Sequence, residues 1–259
     1  MPSFYLRAEA VSGPRVTFDA QETRHLARVL RLAPGDVVQA VDGQGQELTV
    51  RLTRVDARSA EGLILGREGR QRESPLHLTL VQGLPKGAKL ETIIRMATEL
   101  GVSRVVPVVT ERTVVRTDAV RRAGRLDRWQ RVAREAAKQC GRTVIPEVAA
   151  ARPLAEWLHE GRPDGLLLCL WEEEHALLAD RLPPPPVSVA TLVVGPEGGL
   201  AAGEVDALGA AGAVTASLGG RVLRTETAGP VGLALLQARY GDLGGASSAG
   251  PEARPSAGG

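Results

Sequence analysis

The sequence predicts an α/β protein, in which a mostly parallel sheet covered by helices follows a smaller β-rich module. Two observations predict this class. From residue 76 onward, short apolar runs alternate with stretches of helical periodicity, and repeated β-then-α units of this kind build parallel sheets. Residues 1–70 instead combine strand-like runs with one helix, and the polar segment 66–75 is typical of a linker. We therefore expect domains at 1–70 and 71–243, and a disordered tail at 244–259.

The helix of the first module is expected over residues 23–31. Asp19 followed three residues later by Glu22 is a capping-box pattern ahead of it, and a Pro-Gly pair stops it. Strands are predicted at 37–41 and 48–55, joined by a glycine-containing hairpin turn.

In the second part, strands and helices are predicted in alternation from the position of apolar runs and their period. The predicted strands lie at 76–82, 102–109, 165–171, 191–194 and 213–218. The predicted helices lie at 90–100, 120–140, 202–211 and 228–240.

Basic residues are concentrated in the middle of the chain. The net charge of +2 conceals +8 over residues 71–145, which hold fifteen basic and seven acidic residues, and −7 over 146–259. Such an excess indicates a surface for a polyanion. Seven cations of the predicted helix and its end share one face, at an average spacing of 3.5 residues: Arg121, Arg125, Arg128, Arg131, Arg134, Lys138 and Arg142. A solvated helix face is the alternative, but only two acidic residues lie nearby, which favours contact with RNA or DNA phosphates.

A second, shorter row of cations lies on the helix predicted at 23–31. Arg24, Arg28 and Arg31 fall at i, i+4 and i+7 and so share a face. Phosphate binding and simple solvation remain equally open for this row.

Two glycine-rich segments mark the predicted binding site. Residues 195–200 (GPEGGL) and 217–228 (SLGGRVLRTETA) each follow an apolar strand-like run and precede a helical one. Glycine lets backbone groups approach a ligand closely, and open α/β sheets bind ligands at the carboxyl ends of strands. The first segment lacks the spacing of dinucleotide and P-loop motifs, and its Glu197 would repel a phosphate. A neutral or cationic ligand is favoured, with ordinary β-to-α turns as the alternative; the segment 170–174 (LWEEE) could add a third wall.

Several classes of site and location are disfavoured. The two cysteines, Cys140 and Cys169, and the four histidines show no metal-ligand spacing, so we expect no metal. There is no G-x-S-x-G nucleophile elbow. The first residues do not resemble a signal peptide, and no uncharged apolar run is long enough for a spanning helix. Together with the low cysteine content, this predicts a cytoplasmic protein.

Taken together, these segments resemble the SPOUT-class methyltransferases that methylate N3 of a uridine in small-subunit (16S) ribosomal RNA. The resemblance runs from about residue 4 to residue 243. The pairing of GPEGGL with LRTETA is its most specific part. The other matching segments are HLARVLR at 25–31, Lys86-Gly87 through Glu91, ATELGV at 97–102, Glu111-Arg112, and residues 135–142 with Glu135, Gln139, Cys140 and Arg142.

The resemblance implies a PUA-like β-barrel at the N-terminus and a SPOUT-type sheet with helices on both faces, its chain threaded into a deep trefoil knot. It implies S-adenosylmethionine as cofactor, a homodimer, and small-subunit ribosomal RNA or the assembled subunit as partner. The cofactor residues it implies are Leu170, Trp171, Val194, Gly195, Pro196, Glu197, Gly198, Gly199, Leu218, Gly219, Val222, Leu223, Arg224, Thr225, Thr227 and Ala228. Those expected to contact RNA are Arg7, Arg24, Arg28, Arg31, Lys86, Arg112, Arg121, Arg125, Arg128 and Arg131.

For catalysis, we hypothesise that Arg224 stabilises charge on the uracil oxygens and that Glu226 orients it or takes the N3 proton. Two other functions remain open: a SPOUT methyltransferase for a ribose 2′-oxygen or another RNA base, and a non-catalytic RNA-binding protein on the same scaffold. The sequence departs from the family pattern at Ala201-Ala202, where a capping Ser or Thr is common, and at Gly229-Pro230.

Overall fold

The structure of the chain, a computed structural model, describes residues 3–69, 73–114, 119–161 and 163–244. The expected disordered tail lies outside the described residues from position 245 onward. The described part of the chain forms two sheets, one of six strands and one of seven.

The first sheet belongs to the N-terminal module, residues 3–69, and has the strand order β1-β4-β5-β6-β3-β2. Only β1 and β4 pair in parallel; the other neighbours are antiparallel. Its inward side chains, among them Phe4, Phe18 and Val50, form a core of their own. The strands are β1 Ser3–Tyr5, β2 Val11–Ser12, β3 Arg15–Phe18, β4 Val37–Val41, β5 Glu47–Val55 and β6 Ala60–Glu68.

The predicted helix of this module begins earlier than expected. Helix α1 spans Ala20–Arg24 and continues as a π-helical turn over His25–Val29. Asp19 caps it as predicted, because its carboxylate accepts hydrogen bonds from two backbone N–H groups of the first turn. Glu22 does not complete the box, since its buried carboxylate contacts other parts of the molecule.

The segment 66–75 is only partly a linker. Strand β6 runs through it as far as Glu68, which pairs with Glu47 of β5. Pairing with the neighbouring strand outweighs the polar composition that predicted a loop there.

The second sheet is parallel throughout, as the alternation of strands and helices predicts. Its order is β10-β8-β7-β12-β11-β13, with β9 also paired to β8. The short strands β9 and β10 are not predicted by the sequence pattern, because two residues carry no period. The strands are β7 His77–Gly83, β8 Arg104–Val109, β9 Glu147–Val148, β10 Arg152–Pro153, β11 Leu166–Leu170, β12 Val189–Val194 and β13 Val214–Ala216.

Helices cover both faces of this sheet. Because successive strand residues point to opposite sides, the longer strands contribute side chains to the cores on both faces. In β12, Leu192 and Val194 face one core together with residues of α2, α3, α5 and α7. Val193 between them faces a second core with residues of α4 and α6. The helices are α2 Lys89–Glu99, α3 Ala119–Cys140, α4 Leu154–His159, α5 Leu178–Arg181, α6 Ala202–Ala210 and α7 Thr225–Tyr240.

Helix α7 begins at Thr225, three residues before the predicted start, so Pro230 lies in its second turn. Helix α6 starts without a side-chain cap at Ala201. Glu204 compensates, because its carboxylate accepts a hydrogen bond from the Ala201 N–H at 3.0 Å. The departures at Ala201 and Pro230 therefore leave both helices formed.

Candidate functional site

A cavity of about 680 Å³ opens at the carboxyl ends of β11, β12 and β13. Its walls are the segment after Leu170, the loop after Val194, and the segment 217–225 that leads into α7. This volume lies in the range of small-molecule sites. The chain places the two predicted glycine-rich segments, and the LWEEE segment, around one space.

Most of the predicted cofactor residues lie on this wall. Gly198 and Thr227 do not. The predicted residues that line the cavity are Leu170, Trp171, Val194, Gly195, Pro196, Glu197, Gly199, Leu218, Gly219, Val222, Leu223, Arg224, Thr225 and Ala228. The wall also contains residues that the sequence did not single out as cofactor contacts: Lys89, Glu172, Glu174, His175, Leu177, Ala216, Ser217, Gly220 and Arg221.

The walls of the cavity approach each other closely at two glycines, which have no side chain to keep them apart. Gly199 has a φ of 72°, and a Cβ there would lie 1.8 Å from the Glu172 carboxylate. A Cβ at Gly83, at the end of β7, would lie 2.5 Å from Pro196. The GPEGGL loop therefore packs at backbone distance against both β7 and the segment after β11, which leaves no room for side chains at these positions.

A buried glutamine joins three segments beneath the cavity. Gln82 is fully buried in β7, and its Nε2 shares two N–H donors among the carbonyl oxygens of Gly83 at 3.0 Å and Gly195 at 3.2 Å and Thr225 Oγ1 at 2.9 Å. Thr225 Oγ1 in turn donates to the Gly195 carbonyl at 2.7 Å. Thr225 therefore ties the start of α7 to the GPEGGL loop.

Lys89 lies between two carboxylates at the edge of the cavity. Its Nζ is 3.0 Å from Glu197 Oε1 and 3.3 Å from Glu226 Oε2. Hydrogen bonding to Glu197, supported by Glu226, raises the pKa of Lys89. Partial burial opposes ionisation of Glu197, but Lys89 and backbone N–H groups outweigh it and lower its pKa. All three groups are therefore charged at neutral pH.

The two predicted catalytic residues occupy different surroundings. Arg224 is exposed on the cavity wall and immediately precedes α7. Glu226 is not among the lining residues and pairs with Lys89. Its own backbone N–H, followed by Lys89, lowers the pKa of Glu226, which makes its carboxylate a weaker proton acceptor. The geometry thus disfavours Glu226 as the base.

The acidic segment after β11 is ordered by Glu174. Its carboxylate accepts hydrogen bonds from the N–H groups of Ala176 and His175 and from Thr215 Oγ1. These bonds, with the one from Ala176 contributing most, lower the pKa of Glu174 to about 2. The carboxylate is therefore ionised at neutral pH and fixes this wall of the cavity to β13.

The predicted RNA contacts form two groups of exposed cations. Arg7, Arg24, Arg28 and Arg31 are exposed on the N-terminal module, and Arg31 has a φ of 55°. In the C-terminal module, Lys86, Arg112, Arg128 and Arg131 are exposed and Arg125 is half-buried; the side chain of Arg121 lies outside the described residues. Arg112 also donates to the Gly198 carbonyl at 3.1 Å, and Arg128 pairs with Glu91 at 2.7 Å.

The last three of the seven cations predicted to share one face do not form a free surface. The prediction that they contact phosphates is wrong for these three residues. Arg134 lies over the Tyr5 ring, and Lys138 Nζ is 2.6 Å from Glu22, so both hold α3 against the N-terminal module. Arg142 is buried and pairs with Glu73 at 2.6 Å. A regular spacing predicts a shared face, but it does not say what that face contacts.

Among the residues that the structure describes, no three His, Cys, Asp or Glu side chains group as metal ligands. Within the same residues, no helix has the length and apolar character needed to cross a bilayer.

Comparison with known proteins shows similarity over both modules. Residues 72–237 match the family described as the RNA methyltransferase domain, and residues 18–65 match the RNA methyltransferase PUA domain. The Bacillus subtilis protein named ribosomal RNA small subunit methyltransferase E is 33% identical over 221 residues, which cover 83% of this chain and 86% of the relative. The protein of the same name from Synechocystis is 36% identical and covers 89% of this chain and 75% of the relative.

Solved structures are similar over nearly the whole chain. A ribosomal RNA small subunit methyltransferase E from Neisseria gonorrhoeae, bound to S-adenosyl methionine, has a TM-score of 0.85 at 34% identity and covers 93% of this chain and 99% of that one. A putative methyltransferase from Legionella pneumophila, in complex with the bound cofactor SAM, has a TM-score of 0.84 at 33% identity with the same coverage.

Proposed function

Because the chain belongs to the ribosomal RNA small subunit methyltransferase E family, we propose that it methylates N3 of a specific uridine in 16S ribosomal RNA. It is an S-adenosylmethionine-dependent ribosomal RNA methyltransferase. The uridine and its N3 atom are the proposed part.

The cavity at the carboxyl ends of β11, β12 and β13 carries this proposal. Much of its wall is formed by the two glycine-rich segments, where glycine lets backbone groups come close to a neutral adenine and an amino-acid moiety. Its lining holds three carboxylates, Glu172, Glu174 and Glu197, beside three cations, Lys89, Arg221 and Arg224, and a carboxylate close to the sulfonium would stabilise its positive charge. The residues present therefore fit S-adenosylmethionine, and the predicted cofactor residues on the wall would hold it.

For this methyl transfer, the protein mainly aligns the two reactants and stabilises the charge that develops. Bound in the cavity, S-adenosylmethionine supplies the methyl group for direct displacement by N3, with S-adenosylhomocysteine as the leaving product. Arg224 lies on the wall with an exposed guanidinium, where it can donate to the uracil oxygens. Glu226 holds Lys89 rather than taking the proton.

The exposed cations of both modules support binding of the RNA. Arg7, Arg24 and Arg28 on the N-terminal module, and Arg128 and Arg131 on α3, present positive charge to solvent, and cations of this kind neutralise backbone phosphates. We assign residues 1–70 to an RNA-binding PUA-like domain and 71–243 to the methyltransferase domain. A trefoil knot, a homodimer, a cytoplasmic location and activity without a metal belong to the same proposal.

Deletion of the gene tests the assignment. Nucleoside mass spectrometry of 16S ribosomal RNA should lose one N3-methyluridine, and expression of the wild-type chain should restore it. Persistence of that nucleoside rejects the proposed substrate. Loss of a 2′-O-methyl or another base methyl instead identifies the first alternative. A protein that binds no S-adenosylmethionine in calorimetric titration would be the non-catalytic alternative.

A further inference from the structure

Lys89 occupies a position where three segments of the chain meet. It is the first residue of α2, directly after the loop that follows β7. Its two carboxylate partners come from the GPEGGL loop and from the first turn of α7. Its side chain also lines the cavity and is 37% exposed.

The partner carboxylate of Glu197 is fixed independently of the lysine. Both of its oxygens accept from the Lys86 backbone N–H, at 3.2 and 3.3 Å. An ammonium group has three N–H donors, and Glu197 and Glu226 each contact the Lys89 ammonium through one oxygen. The remaining donor is available to a group inside the cavity.

The charges around Lys89 keep it protonated. Glu197 and Glu226 face it, and Arg224 acts electrostatically on Glu226 from the cavity wall. On its own helix, Glu91 is already paired with Arg128. The raised pKa of Lys89 means that it remains a cation at neutral and mildly alkaline pH and does not act as a base.

We propose that Lys89 is a catalytic residue, which donates a hydrogen bond to a uracil carbonyl oxygen next to N3 and stabilises the negative charge that develops there. This inference rests on the proposed function. The N3 proton passes to water, and the charge it leaves is shared between N3 and the two neighbouring oxygens. The N3 electron pair then forms the bond to the methyl carbon, while the electrons of the carbon–sulfur bond return to sulfur.

The alternative is that Lys89 only neutralises Glu197 and Glu226 and so holds two loops together. The variant Lys89→Met removes both roles, because its side chain has a similar length and no charge. The double variant Lys89→Met/Glu226→Gln removes one of the two negative charges as well. If charge repulsion between the loops were the whole effect, the double variant would regain activity.

Single-turnover methylation of 16S ribosomal RNA, with calorimetric titration of S-adenosylmethionine, separates these roles. We expect Lys89→Met to lower the rate constant by about 10²–10³-fold near neutral pH, the loss typical of one donor to a developing oxyanion, and cofactor affinity to stay close to wild type. Lys89→Arg should keep most of the rate, and the double variant should stay as slow as Lys89→Met. The rate of Lys89→Met should recover as the pH rises, because hydroxide then removes the N3 proton.

A matched variant controls for loss of a surface charge. Arg239 is exposed in the last turn of α7, and Arg239→Met should methylate like wild type. Wild-type rates in Lys89→Met, or restored rates in the double variant, would overturn the catalytic role of Lys89. Neither result would bear on the proposed function. The product of the wild-type reaction tests the proposed function separately. Any nucleoside other than N3-methyluridine rejects that function, and with it the uracil contact of Lys89.

Discussion

The hydroxyl of Thr225 shows how one side chain links two binding loops. It donates to the Gly195 carbonyl and accepts from Gln82 Nε2, all of them buried. A buried hydrogen bond of this kind contributes about 0.5–1.5 kcal/mol, and leaving its partners unsatisfied costs about 1–3 kcal/mol. The start of α7 and the GPEGGL loop therefore keep their spacing through this junction, and the cavity keeps its shape.

Replacement of Gln82 by glutamate should make cofactor binding depend on pH. The ionised carboxylate would face the Gly83 and Gly195 carbonyl oxygens that Nε2 now contacts. Desolvation and these dipoles would raise the pKa of the new carboxyl. Above that pKa the charge repels the carbonyls, and below it the protonated group can donate to them. Calorimetric titration should show weaker affinity for S-adenosylmethionine at neutral pH, by about tenfold, and recovery on acidification.

Thr225→Ser is the control for that experiment, since it keeps the hydroxyl that donates to Gly195. Its affinity should be close to wild type at every pH. Equal loss of affinity in Gln82→Glu at all pH values would contradict the proposed role of the amide.

Arg224→Ala should slow methylation strongly while leaving cofactor binding largely intact. The guanidinium is exposed on the cavity wall rather than packed beneath it. Loss of one charge-stabilising donor lowers the rate by about 10²–10³-fold. Single-turnover kinetics and calorimetric titration measure the two effects, and Arg239→Ala, at the exposed end of the same helix, is the charge-matched control. Unchanged turnover would contradict the assignment of Arg224.

Residues on the glycine-rich segments could be predicted as a site, but the contacts of Gln82 and Lys89 with these segments could not. The segments carry their own signal, because glycine, charge and hydroxyl groups follow apolar strands. Gln82 is separated by 113 residues from Gly195, so only the fold reveals their contact. A glutamine inside the otherwise apolar end of a strand was the one available signal for it.

Among the elements, helix α3 best shows the limit of a periodic pattern. It spans 22 residues, which corresponds to about 33 Å. Over that length, the face of α3 that carries the cations is exposed to solvent at one end and packed against the N-terminal module at the other. Arg128 and Arg131 face solvent, while Arg134 and Lys138 contact the N-terminal module. The RNA surface that we propose on this helix therefore excludes its last two turns.

Removal of the Lys138 charge should destabilise the protein. Its partner Glu22 has a side chain only 3% exposed, and an uncompensated buried charge costs about 3–5 kcal/mol. Urea denaturation of Lys138→Met should show a loss of that size in the free energy of unfolding. The double variant Lys138→Met/Glu22→Gln should recover most of it, because no buried charge remains. A loss below about 1 kcal/mol, typical of an exposed pair, would contradict a buried bridge.

At the scale of the whole molecule, the fold class follows from the sequence and the strand order does not. Alternation places Leu192 and Val194 on one face and Val193 on the other, and it predicts a covered parallel sheet. It says nothing about β12 lying between β7 and β11, because strand order depends on how distant segments pack. Helix α5 has four residues and α4 has six, too few for a period to show.

The two modules contact each other through more than α3. The turn at residues 42–46 joins the C-terminal module by backbone hydrogen bonds, from Gly45 N–H to the Thr143 carbonyl and from Ile145 N–H to the Gly43 carbonyl. Gly43 has a φ of 73°, and a Cβ there would lie 2.7 Å from the Tyr5 ring. Tyr5 is also the ring that Arg134 covers. This turn therefore helps to fix the N-terminal module relative to the methyltransferase cavity.

Gly43→Ala should weaken the docking of the modules and so weaken use of RNA more than binding of cofactor. The new methyl group displaces Tyr5, and the left-handed backbone adds about 1 kcal/mol of strain. Gly13→Ala is the matched control: its φ is 58°, but nothing lies within 4 Å of the added methyl, so it carries strain alone. We expect both variants to bind S-adenosylmethionine like wild type, and only Gly43→Ala to show a raised KM for RNA in steady-state methylation. An equal KM for both would mean that the fixed placement of the modules does not contribute to recognition of the RNA.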